Sequence, residues 1–307
     1  MAGSATASVT AATALVGVLG DPVRHSLSPA MHNAALRELG LNWVYLALPV
    51  ASGQLGAAVK GLEAIGCRGL NVTLPHKQAV AGLCLERSPL AQRVGAVNTL
   101  VPLEGGGWYG TNTDVEGFLA PLPQLDWQGK QALVLGCGGS SRAVVAALVE
   151  LGLQRISVAG RRREHLEAFA ADCHPWAPQL HPVAWPGPGA PLEASPLPPL
   201  LARASLVVNT TPVGLASATD PSAATACPLS QADLDALNPG CWVYDLIYTP
   251  RPTRLLQAAA ARGCQSLDGL EMLVQQGAAA LRLWSGVPQV PVATMRRAAL
   301  QQLGGDP

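Results

Sequence analysis

The stretch Gly136-Cys137-Gly138-Gly139-Ser140-Ser141-Arg142-Ala143 follows the apolar run Ala132-Leu133-Val134-Leu135 and leads into a segment of helical length. A strand that breaks at glycines into a helix belongs to an α/β unit. Its loop lets backbone N–H groups approach a pyrophosphate at the helix N-terminus. Ser141 stands where the dinucleotide fingerprint has its third glycine or alanine, so the strand–loop–helix setting is what gives the match weight. The next strand, Ile156-Ser157-Val158-Ala159, ends in Gly160-Arg161-Arg162-Arg163. A carboxylate at that point would accept from a ribose 2′-hydroxyl. Guanidiniums instead fit a 2′-phosphate, and cations at a helix start require an anionic partner. NADP is the expected cofactor.

Strand-length apolar runs alternate with helix-length segments along most of the chain, which points to parallel sheets covered by helices. Residues 15–18, 43–48 and 69–72 are expected as strands and 29–39 and 53–65 as helices. Residues 97–109 read as a hairpin turning on Gly105-Gly106-Gly107. The second half repeats the alternation, with helices at 140–151 and 164–171 and strands at 132–135, 156–159, 206–208 and 242–244. Residues 269–284 and 292–303 are strongly helical. Proline crowds residues 175–199, which are expected to cross the surface around one short strand, since proline suits neither helices nor central strands. The fold class is α/β in two domains, because 307 residues exceed one ordinary core.

Composition narrows the partners. Hydrophobic residues are 49% and charged residues 13%, enough apolar surface for substantial cores. Lys plus Arg and Asp plus Glu each number 20, so no net field draws the chain to nucleic acid or an anionic membrane, and neither is an expected partner. The seven cysteines form no CxxC pair, so no metal site or disulfide framework is expected, and a reducing, cytoplasmic setting fits. No apolar run reaches the roughly 18–20 residues of a membrane span. Residues 1–13 are small and polar, lack the basic start of a leader peptide, and are expected as a disordered tail.

Ligand chemistry is expected at strand ends, where open α/β sheets bind. Four polar groups lie there: His25-Ser26-Leu27-Ser28-Pro29, Asn71-Val72-Thr73-Leu74-Pro75-His76-Lys77, Gly95-Ala96-Val97-Asn98-Thr99 and Gly110-Thr111-Asn112-Thr113-Asp114. Ser28 before Pro29 suits a helix N-cap, which leaves Ser26 the freer ligand candidate. Pro75 is expected to open a helix with Lys77 in its first turn, where the dipole favours the neutral amine and eases proton exchange. A carboxylate beside Lys77 would favour the ammonium instead and fix its direction; alternatively, Asp114 and Asn112 serve only to cap the helix that follows. Cys137 has no base beside it, and His25 and His76 are expected in local hydrogen bonds.

Taken in order, these stretches resemble the shikimate dehydrogenases of the shikimate/quinate dehydrogenase family. The resemblance continues through the glycine loop, Asn209-Thr210-Thr211-Pro212-Val213-Gly214, Tyr244-Asp245-Leu246-Ile247-Tyr248 and Asp268-Gly269-Leu270-Glu271-Met272-Leu273-Val274-Gln275-Gln276, and spans residues 15–284. It implies reversible reduction of 3-dehydroshikimate to shikimate by NADPH, in aromatic amino-acid (chorismate) biosynthesis. It implies Lys77 and Asp114 as the catalytic pair. Ser26, Ser28, Thr73, Lys77, Asn98, Asp114, Tyr248 and Gln276 are the implied substrate ligands. Gly136, Gly138, Gly139, Ser140, Ser141, Arg161, Arg162, Thr210, Pro212, Gly269 and Met272 are the implied cofactor contacts.

The implied architecture is a substrate-binding, catalytic α/β domain with a mainly parallel sheet at 14–114 plus 270–307, and a Rossmann-like NADP domain at 115–269. The C-terminal helices return to the first domain with Gln276, and the assembly is a monomer or homodimer. Family members often carry Asn-Arg-Thr where this chain has Gly160-Arg161-Arg162, a change that loses an amide and adds a charge. Two alternatives stand beside this reading. One is a quinate/shikimate dehydrogenase, whose NAD-preferring forms tend to carry an acid after the second strand. The other is a non-catalytic NADP- or cyclitol-binding regulator, against which the Lys77/Asp114 pair argues.

Overall fold

The computed structural model describes residues 9–186, 195–216 and 220–304. The chain divides into two units, residues 1–117 with 273–307 and residues 118–272. Of the expected tail, residues 1–8 lie outside the described residues. Residues 10–13 close a turn, with Thr13 N–H donating to the Thr10 carbonyl at 3.0 Å and Thr13 Oγ1 donating to Asn42 Oδ1 at 2.8 Å.

In the first unit, β1 (Ala14–Gly20), β2 (Trp43–Pro49), β3 (Gly69–Val72), β4 (Glu86–Arg87), β5 (Thr99–Pro102) and β6 (Trp108–Thr111) form one sheet in the order β2-β1-β3-β5-β6-β4. β2, β1 and β3 run parallel, joined by crossovers through the helices Ser28–Glu38 and Leu55–Ala64. β5 is antiparallel to both β3 and β6, which is the expected hairpin, and β4 adds a short parallel edge to β6. Leu19, Leu70, Val72, Leu100 and Trp108 pack in one buried cluster on this sheet. β2 lies at the opposite edge, and the Asn33 carboxamide covers part of it. Asn33 Oδ1 accepts from Tyr45 N–H and Nδ2 donates to the Tyr45 carbonyl, both at 2.9 Å, so these two backbone groups are closed to a further strand.

Gly69 shows why one β3 position tolerates no side chain. A Cβ there would lie 2.2–2.4 Å from the Trp284 indole, which is anchored by donating from Nε1 to the Leu100 carbonyl at 3.0 Å. Gly69→Ala must displace that ring, and overpacking of this kind costs about 1–3 kcal/mol. Denaturant unfolding should show this loss with little change in slope; wild-type stability would refute the reading.

In the second unit, β7 (Gln131–Leu135), β8 (Arg155–Gly160), β9 (Leu180–Ala184), β10 (Leu206–Asn209), β11 (Trp242–Asp245) and β12 (Gln265–Leu267) form a fully parallel sheet in the order β12-β11-β10-β7-β8-β9. The central strands are continuous apolar runs because helices cover both faces. The winding reverses between β7 and β10, so the doubly wound sheet opens its ligand crevice beyond the C-terminal ends of those two strands. The glycine loop leaves β7 there. Among the described residues of the proline-rich segment, β9 is a short strand at the sheet edge; residues 187–194 lie outside the described residues.

Candidate active site

The ends of β3, β5 and β6 bring three polar side chains of the first unit together. Val72 N–H donates to the Asn98 carbonyl, Val97 N–H to the Lys77 carbonyl, both at 2.8 Å, and Asn98 N–H to the Thr111 carbonyl at 3.1 Å. This backbone lattice holds Lys77, Asn98 and Asp114 in register. Lys77 Nζ donates to Asp114 Oδ2 at 2.6 Å, and both side chains are buried, 11% and 6% exposed. Asn98 Nδ2 donates to Asp114 Oδ1 at 2.8 Å, so each carboxylate oxygen has a partner. The ammonium uses one of its three donors on Asp114, leaving two that can point at a substrate oxygen.

Two local expectations are corrected. Lys77 does not stand in the first turn of an α-helix opened by Pro75. Its carbonyl is taken by Val97, the Thr73 carbonyl accepts from His76 N–H in a tight turn, and the helix that follows is a short 3₁₀ segment at Ala79–Leu83. Lys77 therefore opens no α-helix, and its amine is held by Asp114. Ser28 is not an N-cap either. Leu27 is already helical (φ −78°, ψ −12°), Ser28 is the first residue of the helix, and its N–H donates to Ser26 Oγ at 3.2 Å. The turn-closing duty falls to Ser26, and the Ser28 hydroxyl is released from capping. At the other helix, Asn112 Oδ1 accepts from Asp114 N–H at 3.0 Å, which leaves the Asp114 carboxylate to Lys77 and Asn98.

A second layer stands behind these groups that sequence reasoning did not find. Asn98 Oδ1 accepts from Thr113 N–H at 2.8 Å and from Thr99 Oγ1 at 2.9 Å, which turns its amide nitrogen toward Asp114. Asn71 donates toward Thr99 Oγ1 at 3.3 Å and accepts from Tyr45 OH at 2.8 Å. Tyr45 stacks on His32 at 4.1 Å between ring centroids. Burial lowers the His32 imidazole to about 4, so the ring is neutral with one N–H. The shorter contact, Nδ1 to the Ser28 carbonyl at 2.9 Å, takes that proton, while Nε2 lies 3.3 Å from the Gly277 carbonyl. His32 is thus bonded to the helix of Ser28 and packs against Gly277 of the helix Leu270–Ser285 that carries Gln276. Gln276 is buried and donates from Nε2 to the Leu273 carbonyl at 2.9 Å. The signal was a polar residue inside an apolar strand, Asn71 in Gly69-Leu70-Asn71-Val72. Thr73 is half-buried after β3, His76, expected in a local bond, instead reaches the Val50 carbonyl, 26 residues away in the chain, at 2.7 Å, and His25 is exposed.

The glycine loop of the second unit forms a separate cluster. Gly136 takes φ +107°, and a Cβ there would lie 2.5 Å from Thr210 Oγ1, so both conformation and space require glycine. Gly138 precedes the helix Gly139–Glu150. The Ser141 hydroxyl is what replaces the third glycine. Fully buried, it accepts from Gly138 N–H at 3.1 Å and meets Thr210 Oγ1 at 2.6 Å, while Thr210 Oγ1 donates to the Leu135 carbonyl at 2.7 Å. Ser140 stands half-buried in the first helical turn. β8 ends at Gly160 with no carboxylate beside it.

Arg162 is the N-cap of the helix Arg163–Cys173 without a side-chain cap bond, and Arg163 pairs with Glu167 at 2.7 Å. Arg161 and Arg162 are exposed and make no ion pair among the described residues. A Cβ on Gly160 would lie 3.0 Å from Cys137 Sγ, so the arginines that follow β8 begin beside the glycine loop. Glycines at the loop, a helix N-terminus and unpaired guanidiniums form a donor set that fits a dinucleotide with a 2′-phosphate. Pro212 is exposed after β10, and Tyr248 is half-buried after β11. Gly269 packs with its Cα against the Leu246 carbonyl, where a Cβ would lie 2.0 Å away, and Met272 is buried.

Comparison with known proteins identifies the family. Residues 18–100 match the shikimate dehydrogenase substrate binding domain, and residues 269–300 match the shikimate 5′-dehydrogenase C-terminal domain. A shikimate dehydrogenase (NADP(+)) of Thermosynechococcus vestitus is 52% identical over 296 residues, covering 95% of this chain and 96% of the relative. The shikimate 5-dehydrogenase of Thermus thermophilus, solved with NADP(H) and shikimate, superposes with a TM-score of 0.78 at 38% identity, over 94% of this chain and 100% of that one. The quinate dehydrogenase of Corynebacterium glutamicum, solved with NAD, gives 0.79 at 33% identity over 94% and 99%. On identity of this level along nearly its whole length, the chain belongs to the shikimate dehydrogenase family.

Proposed function

We propose that the chain is an NADP-dependent shikimate dehydrogenase, which reversibly reduces 3-dehydroshikimate to shikimate in aromatic amino-acid biosynthesis. The observation that carries this is the buried Lys77–Asp114 pair at 2.6 Å, in a chain whose relatives are named for the same reaction. Bound NADPH supplies the hydride; the chain's residues supply position and the proton. Lys77, as ammonium, donates a proton from Nζ to the oxygen that gains charge, and takes it back from the hydroxyl in reverse. Asp114 aims Lys77 and keeps acceptor capacity for a neighbouring ring hydroxyl, while Asn98 fixes Asp114. Ser26, Ser28, Thr73, Tyr248 and Gln276 are the further substrate ligands in this reading. The hydroxyls of Ser26, Ser28 and Tyr248 offer donors to the substrate carboxylate.

The segment 14–114 with 270–307 serves as substrate domain and 115–269 as NADP domain. Gly136, Gly138, Gly139, Ser140 and Ser141 receive the pyrophosphate, Arg161 and Arg162 the 2′-phosphate, and Thr210, Pro212, Gly269 and Met272 are further cofactor contacts. The absence of an acid at the end of β8 favours NADP-linked shikimate oxidation over the NAD-linked quinate reaction. Seven free thiols support a cytoplasmic setting, and balanced charge supports small-molecule partners only, in a monomer or homodimer. No helix among the described residues is long and apolar enough to cross a membrane. Reduced-nicotinamide absorbance, followed with shikimate or quinate against NADP or NAD, tests the reading. Shikimate with NADP should give the highest kcat/KM; quinate with NAD outrunning it would replace the reading with the alternative, and silence in all four would favour a regulator.

A further inference from the structure

The second unit holds a buried carboxylate that the reaction above does not use. β10 and β11 pair in parallel with Asn209 opposite Asp245, and both residues are fully buried. Asp245 Oδ1 accepts from Asn209 Nδ2 at 2.9 Å and from Ile247 N–H at 3.1 Å, and Oδ2 accepts from Thr253 Oγ1 at 2.7 Å. Burial pushes its carboxyl up to about 6 against the pull of these donors. A buried carboxylate held by neutral donors lowers stability, so its contribution lies in geometry. A carboxylate accepts on both oxygens, and here the donors come from three separate segments.

Asn209 passes the constraint on. Its Oδ1 accepts from Thr211 N–H at 3.0 Å and Thr211 Oγ1 at 2.7 Å, and the adjoining Thr210 meets Ser141 and the Leu135 carbonyl. Side chains therefore cross-link the C-terminal ends of β7, β10 and β11 in a row. On the far side, Ile247 precedes Tyr248, and Thr253 Oγ1 caps the helix Arg254–Ala261 by accepting from Leu256 N–H at 3.3 Å.

We infer that Asp245 is a positioning residue, which fixes the segment carrying Thr210 and Pro212 against the segment carrying Tyr248. The inference rests on the roles given to those three residues under the proposed function. Releasing the hub loosens both segments while leaving Lys77 and Asp114, which belong to the other unit, untouched.

The test uses the full chain with Asp245→Ala, Thr253→Val and Asp245→Asn, measuring thermal melting, NADPH binding by fluorescence, and kcat and both KM values. Asp245→Ala should raise KM for NADP and for shikimate by about tenfold or more, with kcat per folded protein within about threefold of wild type. Thr253→Val removes one donor at nearly constant volume and should move both KM values the same way by less. Asp245→Asn keeps Asn209 and Ile247 on its carbonyl oxygen, the Thr253 hydroxyl turning to accept, and should stay near wild type. Unchanged KM values in folded Asp245→Ala, or in Thr253→Val where the alanine variant fails to fold, overturn the inference, as does a loss confined to kcat. If wild type shows no turnover, the functional reading has failed instead. The NADPH dissociation constant then decides this one: raised in the variants supports it, unchanged overturns it.

Discussion

Lys77→Ala is expected to cut kcat for shikimate oxidation by about 10²–10⁴-fold, the range for removing one general acid–base. The corresponding barrier is about 3–5 kcal/mol at 1.36 kcal/mol per decade. The loss should fall on kcat and kcat/KM together, because the proton moves in the transition state and the other substrate ligands are untouched. Stability will also fall. The Asp114 carboxylate is 6% exposed and would keep only the Asn98 amide as a partner among the described residues, and stranding one member of a buried pair costs about 3–5 kcal/mol. Calorimetric binding of shikimate to the folded variant separates the two effects. Near-normal turnover, or lost binding with normal turnover of what binds, would remove Lys77 from the proposed role. Asp114→Asn should give a kcat between those of wild type and Lys77→Ala, since it keeps an acceptor for Lys77 but loses the charge and the bond from Asn98.

Replacing Arg161 and Arg162 together with alanine is expected to raise KM for NADP by about 10–100-fold, the loss of charge-assisted hydrogen bonds to one phosphate. KM for NAD should change little, because NAD lacks that phosphate. The two guanidiniums make no ion pair among the described residues and stand beside a helix start whose own dipole disfavours cations. Arg163 serves as the control: its guanidinium is engaged by Glu167, and Arg163→Ala should leave the NADP preference unchanged. An equal rise for both dinucleotides in the double variant would mean that the arginines support the fold of the helix instead of reading the 2′-phosphate.

Where one physical signal dominated, the sequence was legible. Strands buried on both faces in the second unit read as continuous apolar runs, and the glycine loop followed from β7. The short elements were harder. β12 is a three-residue edge strand with two exposed residues, so no periodicity marks it. The helix Pro89–Val94 carried a signal that went unread. Ser88 Oγ accepts from Ala91 N–H at 3.0 Å, Pro89 opens the helix and Gly95 closes it at φ +66°, the serine–proline start and glycine stop of a short helix. In the candidate site, the charged side chains and Asn98 stood out in the sequence, while the hydrogen bonds behind them did not. Asn71, Thr113 and Asn209 act through hydrogen bonds across strands distant in sequence, a relation that spacing does not express. Ser26 and Ser28 exchanged roles for a similar reason: a cap depends on whether the preceding residue is already helical, and Leu27 is.

The most direct test of the central claim is the fate of the hydride. The purified chain is given 3-dehydroshikimate and NADPH carrying deuterium at the transferring position of the nicotinamide, and the shikimate formed is weighed by mass spectrometry. The account predicts stoichiometric formation of shikimate bearing the deuterium on its newly reduced carbon. Consumption of neither compound, or shikimate formed without the label from NADPH of either facial configuration, would contradict it.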